Sequence, residues 1–363
     1  MESVYFYCAS PQSADMAAYH HLAICIAEGL KQLKIPFYSN IDYWRLSPDS
    51  DEFLFRYDPN VTPDDCSVVV VSLAWFLTGK QFPHELFKPG RKYITVYLDR
   101  QDGTRTFGWQ PDFRKFDLIL KTHFCRNARY PQNFKPWSFG FSNRILNALQ
   151  SPPVFTERQR TLLVNFRNKK NAHTVRREVY KRFLPAMESV IDQDTRIDSL
   201  IDPPADPGNY LLWYQTGKRH YPNYYERLQK SAACACFGGY FVSPWPRDKG
   251  VGLSRLQQKA MAYFGLRSKH VVQWDSWRLW ESLVAGCATF HLDFEKYGIS
   301  LPVMPQNWVD YIGVDLDNIN ETVEHIHDEP EILEKIAFTG RQWTIKHYSP
   351  SNVAQRFLSW ITS

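Results

Sequence analysis

The sequence lacks an apolar run long enough to cross a membrane. A transmembrane helix needs about 18 to 20 consecutive, mostly apolar residues, and no stretch of this chain supplies them. The amino terminus begins Met-Glu-Ser, with no basic segment ahead of an apolar stretch of the kind that a secretory signal carries. We therefore expect a cytoplasmic protein without stable membrane insertion.

Cysteines are few and show no metal-binding spacing. The seven cysteines form an odd set and lie mostly in apolar runs, where reduced and buried thiols are expected. Cys234 and Cys236 would share one face of a strand, but no second Cys or His pair comes after them at zinc spacing. We expect no metal site there, and the reducing conditions of the cytoplasm fit this set.

Blocks of like charge are absent as well. The 43 basic and 38 acidic residues are spread along the chain and leave a formal net charge of +5. Chains that bind nucleic acids usually concentrate basic residues on one face or in one tail, so we expect no nucleic-acid partner. The small positive excess is still compatible with a cationic cleft that binds phosphate.

Aromatic residues are abundant, at 15% of the chain with 12 tryptophans. Aromatic rings fill hydrophobic cores and also stack on the apolar faces of sugars. We expect most of them to be core residues.

The length of 363 residues and the hydrophobic content of 44% predict two α/β domains, each with its own core. In the first half, short apolar runs alternate with helical patterns, as in doubly wound parallel sheets. Strands are predicted at 4–9, 36–39, 67–72, 93–99 and 118–122, and helices at 14–33 and 142–149.

The second half repeats this alternation after a break at Gln150-Ser151-Pro152-Pro153. Strands are predicted at 161–166, 210–214, 233–242, 270–273, 288–291 and 311–314, and helices at 174–184, 224–232, 255–264, 276–285, 319–327, 332–347 and 353–361. We expect an α/β protein of two tandem doubly wound, Rossmann-like domains that face a central cleft, where such folds bind ligands. The domains would span 1–150 and 151–346, and a C-terminal helix in 347–363 would cross back to the first domain.

The segment 274–291 reads as a polar loop, a helix, a glycine stop and a buried strand. Asp275 or Ser276 can cap the helix, Gly286 can end it, and Arg278 and Glu281 share one face at i,i+3 spacing. A phosphate placed before this helix would meet its positive end. Alternatively, the two charges only pair with each other on a solvated face.

The residues Ser276-Trp277-Arg278-Leu279-Trp280-Glu281-Ser282-Leu283-Val284-Ala285-Gly286-Cys287 resemble the S-x-R-x-x-E-x-x-x-x-G-C signature of exostosin-like and related GT-B glycosyltransferases. The segments 301–302 and 306–314 resemble the stretch that comes next in those enzymes. The segments 340–343 and 347–358 are similar to the C-terminal helices of GT-B enzymes, including the bacterial spore-coat type. The resemblance implies a GT-B architecture and a nucleotide-sugar donor held by the second domain.

Carried over by position, the resemblance assigns Glu281 to the ribose hydroxyls of the donor and Arg278 to its diphosphate. Ser276 at the first helical turn, with Arg167 and Lys169 after an earlier strand, would join Arg278 in stabilising the leaving diphosphate. With those cations present, no metal cofactor is expected. The loop 245–253 is either a cover for the donor sugar or a plain surface loop.

Two departures from the resemblance refine the expectation. Retaining GT-B enzymes often carry a second Glu eight positions before the first, and Gln273 stands there, which favours inversion. Eukaryotic exostosins have a membrane anchor, which we do not find in this sequence, so a bacterial-type enzyme fits better.

An inverting enzyme needs a base that takes the acceptor proton, usually from the first domain. The loops after its strands offer Asp15, His20-His21, Asp99, Asp102 and His123, of which Asp15 and Asp99 are preferred as catalytic residues. Each of these residues could instead have a local structural role, since Asp15 could cap a helix and 99–103 could be a turn.

We therefore expect an inverting glycosyltransferase that transfers a sugar from a nucleotide-sugar donor to a glycan or other hydroxyl acceptor. The alternatives are a nucleotide-sugar epimerase of the same architecture and a non-catalytic carbohydrate-binding protein.

Overall fold

A computed structural model describes residues 3–103, 106–167, 173–197, 203–242 and 270–362. The first half forms a six-stranded sheet in which every pairing is parallel, in the order β2-β1-β5-β6-β7-β8. Its strands are β1 (Val4–Tyr7), β2 (Phe37–Ser39), β5 (Val68–Ser72), β6 (Ile94–Asp99), β7 (Leu118–Lys121) and β8 (Phe134–Pro136). Strands β3 (Tyr43–Arg45) and β4 (Phe53–Phe55) form a separate antiparallel ribbon.

Central strand β5 reads Val-Val-Val-Val-Ser and is buried along its whole length. Such an uninterrupted apolar run is expected of a parallel strand that is covered on both faces. The helices of this half are α1 (Ala14–Ala17), α2 (His21–Gln32), α3 (Leu73–Leu77) and α4 (Asn143–Ala148). The predicted helix 14–33 is therefore interrupted, by a 3₁₀ turn at Ala18–His20.

The second half forms a five-stranded parallel sheet in the order β10-β9-β11-β14-β15. Its strands are β9 (Gln159–Leu163), β10 (Asp192–Asp194), β11 (Ser231–Ala235), β14 (Ala288–Leu292) and β15 (Ile312–Val314). Strands β12 (Tyr240–Phe241) and β13 (Val271–Val272) form an antiparallel ribbon. The predicted strand 233–242 is thus two strands separated by Gly238 and Gly239. A Cβ on Gly239, at φ +88°, would overlap the carbonyl oxygen of Val272.

The described helices of the second half follow the predicted order with one exception. They are α5 (Thr174–Glu178), a π-helical turn (Val179–Phe183), α6 (Leu184–Met187), α7 (Pro207–Gln215), α8 (Pro222–Lys230), α9 (Trp277–Ala285), α10 (Ile319–Asp328), α11 (Ile332–Tyr348) and α12 (Pro350–Thr362). The prediction of a strand at 210–214 is wrong, because these residues lie in α7. Asp206 caps that helix by accepting a hydrogen bond from the Asn209 N–H, and Pro207 occupies the first helical turn. The predicted helix 255–264 lies outside the described residues.

The last helix, α12, packs against α2 of the first half. The contact is close at Gly29, where a Cβ would overlap the carbonyl oxygen of Pro350. One hydrophobic core cluster includes residues of both halves, from Val4 to Ile361. The other face of the first sheet carries a second, aromatic-rich cluster around Tyr97, Phe113 and Phe116. Within the ranges that the structure describes, no helix is long and apolar enough to cross a membrane.

Candidate active site

A cavity of about 370 Å³ lies between the two halves of the chain, beside the carboxyl ends of strands from both sheets. From the first half, Arg100 and Asp102 follow β6, and Phe139 follows β8. From the second half, Asn165 and Arg167 follow β9. The other lining residues are Arg176, Ile197, Lys218, Arg219, Tyr221, Tyr224, Gln273, Asp275, Ser276, Trp277, Arg278 and Glu281. Six of the lining side chains are basic and three are acidic, so the cavity favours an anionic ligand.

Helix α9 brings the predicted residues Ser276, Arg278 and Glu281 to this cavity. Gly286 ends the helix in the left-handed conformation, at φ 69°, as the sequence predicts. Ser276 stands at the N-cap with an extended backbone, but its side chain makes no capping hydrogen bond. Its buried hydroxyl has no partner among the described residues. The positive end of the helix thus meets the cavity with an unused hydroxyl beside it.

The carboxylate of Glu281 is buried and held by a tyrosine. Glu281 is 5% exposed, and its Oε1 accepts a 3.1 Å hydrogen bond from the Tyr225 hydroxyl. Arg144 of the first half donates to that same hydroxyl. Burial raises the pKa of Glu281, while Arg144 and Arg278 act to lower it. The alternative of an Arg278–Glu281 pair on a solvated face is therefore wrong.

Three arginines of the second half form a cationic group, which consists of Arg167, Arg176 and Arg278. Arg176 donates from Nε to the Phe237 carbonyl at 2.9 Å and from Nη1 to the Arg167 carbonyl at 3.0 Å. Burial, then the charges of Arg278 and Arg167, lower the pKa of Arg176 to about 9. Arg278 lies over the Phe166 ring at 5.9 Å, and its buried Nε has no partner in the described part of the chain. This group is arranged to receive negative charge from a ligand.

Of the other predicted donor residues, Lys169 lies outside the described residues, and so does the loop 245–253. Arg167 lines the cavity as expected. Sequence patterns did not single out Arg176 or Tyr225. Arg176 could have been noticed, because it lies in the first turn of a helix that comes after the basic loop 167–171.

Across the cavity, Asp102 is held by two hydrogen bonds. Its Oδ1 lies 3.1 Å from His123 Nε2, and its Oδ2 accepts from Gln273 Nε2 at 2.7 Å. His123 Nδ1 in turn accepts from the Asp275 N–H at 3.0 Å, so its proton resides on Nε2 and faces Asp102. His123 and Gln273 both have positive φ values, of 56° each, a conformation that non-glycine residues rarely adopt.

His123 is buried, and this burial lowers its pKa. The side chain of Asp102, in contrast, is 55% exposed. The partial burial of its carboxylate alone would raise the pKa of Asp102, but the hydrogen bonds from His123 and Gln273 and the charge of Arg100 hold it well below its usual range. Asp102 is therefore ionised and able to accept a further hydrogen bond at neutral pH.

Asp275, at the start of α9, joins the two halves. Its Oδ2 accepts from the Phe139 N–H and its Oδ1 from Trp280 Nε1, both at 2.7 Å. Burial raises the pKa of Asp275 to about 7, although these hydrogen bonds act to lower it.

The two preferred catalytic residues do not line the cavity. Asp99 is fully buried, accepts from Thr106 Oγ1 and the Gln101 N–H, and has Lys121 Nζ at 3.7 Å from its Oδ1. Its carboxylate is engaged by residues of the first domain, so Asp99 has a structural role and not the predicted catalytic one. Asp15 is exposed and lies 3.5 Å from the Lys218 ammonium, a cavity-lining group. Asp15 therefore contacts a residue at the rim of the cavity but does not line the cavity itself.

The two neighbouring histidines also have local roles. His20 Nε2 receives the Ala9 N–H at 3.3 Å, and His21 packs against the Trp277 ring with centroids 4.9 Å apart. Both are buried. As regards metals, the described residues contain no group of three His, Cys, Asp or Glu side chains placed to hold an ion.

No protein-family model matches the sequence, and no curated protein matches it. Solved structures with a similar fold cover nearly the whole chain. An alpha-glucosyltransferase in complex with UDP and a 13-mer DNA containing an HMU base has a TM-score of 0.53 and 12% identity, with 99% of each chain covered. An alpha-glucosyltransferase with UDP-glucose and DNA containing an abasic site has a TM-score of 0.52 and 10% identity over 99% of each chain. An alpha-glucosyltransferase in complex with UDP has a TM-score of 0.52 and 11% identity over 100% of each chain. This chain thus has the GT-B fold, with two facing Rossmann-like domains, as the sequence predicts.

Proposed function

We propose that this protein is a glycosyltransferase that takes a sugar from a nucleoside-diphosphate sugar and transfers it to a hydroxyl group of an acceptor. One observation carries the proposal: the guanidinium of Arg278 lies in the interdomain cavity near Arg176 and Arg167, and its buried Nε has no hydrogen-bond partner among the described residues. Departure of a nucleoside diphosphate builds up negative charge, and fixed cations lower the barrier to that step. These cations and the N-terminus of α9 could serve without a metal ion.

Glu281 fits the recognition of the donor ribose. Its carboxylate faces the cavity from the same helix as Arg278, and Tyr225 fixes its position. A buried carboxylate can accept hydrogen bonds from two neighbouring hydroxyl groups. The signature 276–287, which resembles that of exostosin-like enzymes, assigns the same role to this Glu. The similar structures contain UDP or UDP-glucose, which favours a UDP-sugar donor.

For the transfer step, we assign the base to Asp102 in place of Asp99. Asp102 lines the cavity from the first domain, is ionised, and is oriented by His123 and Gln273. In an inverting transfer, the acceptor hydroxyl attacks the sugar carbon as the bond to the diphosphate breaks, and its proton passes to the carboxylate. His123 and Gln273 act as positioning residues. Asp15 is kept as the second candidate, at the rim.

The acceptor is a glycan or another hydroxyl compound, as the sequence predicts. Two of the similar structures also contain DNA. An acceptor panel should therefore include a DNA oligonucleotide beside sugars, in spite of the evenly spread charges of this chain.

The proposal is tested first by binding. A thermal-shift panel of nucleotides and nucleotide sugars should give a raised melting temperature for one family of diphosphates, because a ligand that binds only the native state stabilises it. Release of the nucleoside diphosphate is then measured with and without acceptors. Conversion of the donor sugar without any acceptor would identify an epimerase instead. Absence of stabilisation by every nucleotide would favour a non-catalytic protein.

A further inference from the structure

Arg100 is a buried cation with no hydrogen-bonding or ion-pairing partner among the described residues. It comes directly after β6, is 9% exposed and lines the interdomain cavity. Its buried Nε has no hydrogen-bond partner within the described ranges. It is held instead by three aromatic rings, with its central carbon 5.0 Å from the Tyr19 ring centre, 4.7 Å from Phe139 and 5.6 Å from Trp277.

Such a side chain is costly to keep unpaired. A buried polar group without a hydrogen bond costs about 1 to 3 kcal/mol, and a charged group costs more. The two carboxylates whose charges act on Arg100, those of Asp102 and Asp275, each accept two hydrogen bonds from other groups. Burial, with repulsion from Arg219 as the next cause, lowers the pKa of Arg100 to about 10, so it stays charged at neutral pH.

Arg219 is the second cation on this side of the cavity. Its guanidinium lies over the Trp277 ring at 5.2 Å, and its Nη1 donates only to the Gly217 carbonyl, at 2.8 Å. Arg100 and Arg219 thus flank the same tryptophan. Arg176 and Arg278 lie instead over the Phe166 ring, at 5.2 and 5.9 Å, although the charge of Arg167 acts on both Arg176 and Arg219. The cavity therefore has two cationic groups, and only the one around Arg176 is assigned to the donor.

We propose that Arg100 and Arg219 form a second anion-binding site in the cavity, which holds a phosphate, sulfate or carboxylate group of the acceptor. This inference rests on the proposed function, because it takes the Arg167, Arg176 and Arg278 group as the donor diphosphate site. A guanidinium presents paired N–H donors that match the oxygens of such groups. Arg100 stands two residues before Asp102, so an acceptor anchored there has its hydroxyl groups near the assigned base. The acceptor is accordingly an anionic sugar or a similarly charged hydroxyl compound.

The test is a set of calorimetric titrations on the full chain, with and without saturating UDP. Glucose 6-phosphate and glucuronate are the charged probes, which separate a phosphate from a carboxylate preference, and glucose is the neutral probe. We expect at least one charged probe to bind the UDP-saturated protein at least tenfold more tightly than glucose. Arg100→Gln should weaken that binding about tenfold or more and leave the affinity for UDP within twofold.

The variant Arg278→Gln should show the opposite pattern, with weaker UDP binding and little change for the charged probe. Because Arg100 packs among rings, Arg219→Gln provides a second test at an exposed side chain and should weaken the charged probe at least threefold. Exposed Arg114, which does not line the cavity, gives the control Arg114→Gln.

Two results would overturn the inference: displacement of the charged probes by UDP, or a loss of UDP affinity in Arg100→Gln equal to that in Arg278→Gln. Either result would mean one anion site. Failure of the donor assignment has a different signature, because the protein would then bind the charged probe through Arg100 and bind no nucleotide.

Discussion

The Tyr225 hydroxyl donates a 3.1 Å hydrogen bond to Oε1 of Glu281, although the two residues are 56 positions apart in the chain. The same hydroxyl accepts a hydrogen bond from Arg144 of the first domain, and Arg144 Nη1 also lies 3.3 Å from His220 Nδ1. A cation of one domain therefore reaches the assigned ribose-binding carboxylate of the other through a single tyrosine.

Replacing Tyr225 by Phe removes the hydroxyl and leaves the ring in place. Glu281 then loses a donor, and Arg144 loses an acceptor, in a buried setting where an unmade hydrogen bond costs about 1 to 3 kcal/mol. We expect UDP to bind about five- to tenfold more weakly by calorimetry, and the melting temperature to fall. Tyr57→Phe, at an exposed tyrosine, is the control. An unchanged UDP affinity would show that Glu281 is not positioned by this contact.

The donor site itself is tested by Glu281→Ala and Arg278→Ala. Both side chains line the cavity, so each variant should bind the preferred donor about tenfold or more weakly while the protein stays folded. Calorimetry gives the affinity, and thermal unfolding shows whether the fold is kept. Glu324→Ala, on an exposed position of α10, is the matched control. If both cavity variants keep full affinity for the donor, the site assignment is wrong.

Asp102→Asn removes the assigned base and keeps the size of the side chain. We expect kcat for transfer to fall about 100-fold or more, with donor binding nearly unchanged, because the proton acceptor is lost and the cationic group is intact. The measurement is the initial rate of diphosphate release with acceptor present. Normal turnover in this variant would shift the assignment to Asp15 at the rim.

Asp99→Asn serves as the comparison. Asp99 is buried beside Lys121, so this change leaves a buried cation without its counter-charge. Breaking such a pair costs about 3 to 5 kcal/mol. We expect a marked loss of stability in chemical denaturation, together with a specific activity of the folded fraction close to that of the unchanged protein.

The raised pKa of Asp275 predicts a pH-dependent stability. Burial raises it to about 7 in the folded chain, above the usual value of about 4 for an unfolded Asp. Between these two values the folded protein retains a proton that the unfolded chain has released. This group therefore makes stability fall as pH rises from about 4 to 7, by up to about 1.4 kcal/mol per pH unit. Above about pH 7 its contribution is constant.

Asp275→Asn removes this titration. The free energy of unfolding is measured by denaturant titration at several pH values for both proteins, and their difference isolates the one group. We expect the unchanged protein to lose stability relative to the variant between about pH 4 and 7. A difference that stays level over this range would contradict the buried, proton-retaining state of Asp275.

Much of the fold follows from local sequence patterns. The valine run of β5 predicts a strand covered on both faces, and the cap, apolar face and glycine stop predict α9 nearly to the residue. Local patterns were misleading at 210–214, where Tyr, Leu and Trp suggest a strand. The chain forms a helix there because Asp206 and Pro207 begin one.

Some residues of the candidate site could likewise be predicted from the sequence, and others could not. Arg278 and Glu281 could be found because they are three positions apart on one helix and within one recognisable signature. Asp99 and Asp102 could not be separated from sequence, since both come at the end of the same strand. The structure separates them because Asp99 turns inward to Thr106 and Lys121, whereas Asp102 meets Gln273 of the other domain.

Local sequence is enough to specify the alternation of strands and helices, the two-domain α/β class and the charged face of α9, because each depends on residues close together in the chain. Domain packing is needed to establish that Arg144 supports Tyr225 and Glu281 and that His123 and Gln273 hold Asp102. It also leaves the buried Nε of Arg100 without a hydrogen-bond partner in the described part of the chain. These relationships join residues that are distant in the chain. They depend on how the two sheets pack and on the space between them, which local propensity does not encode.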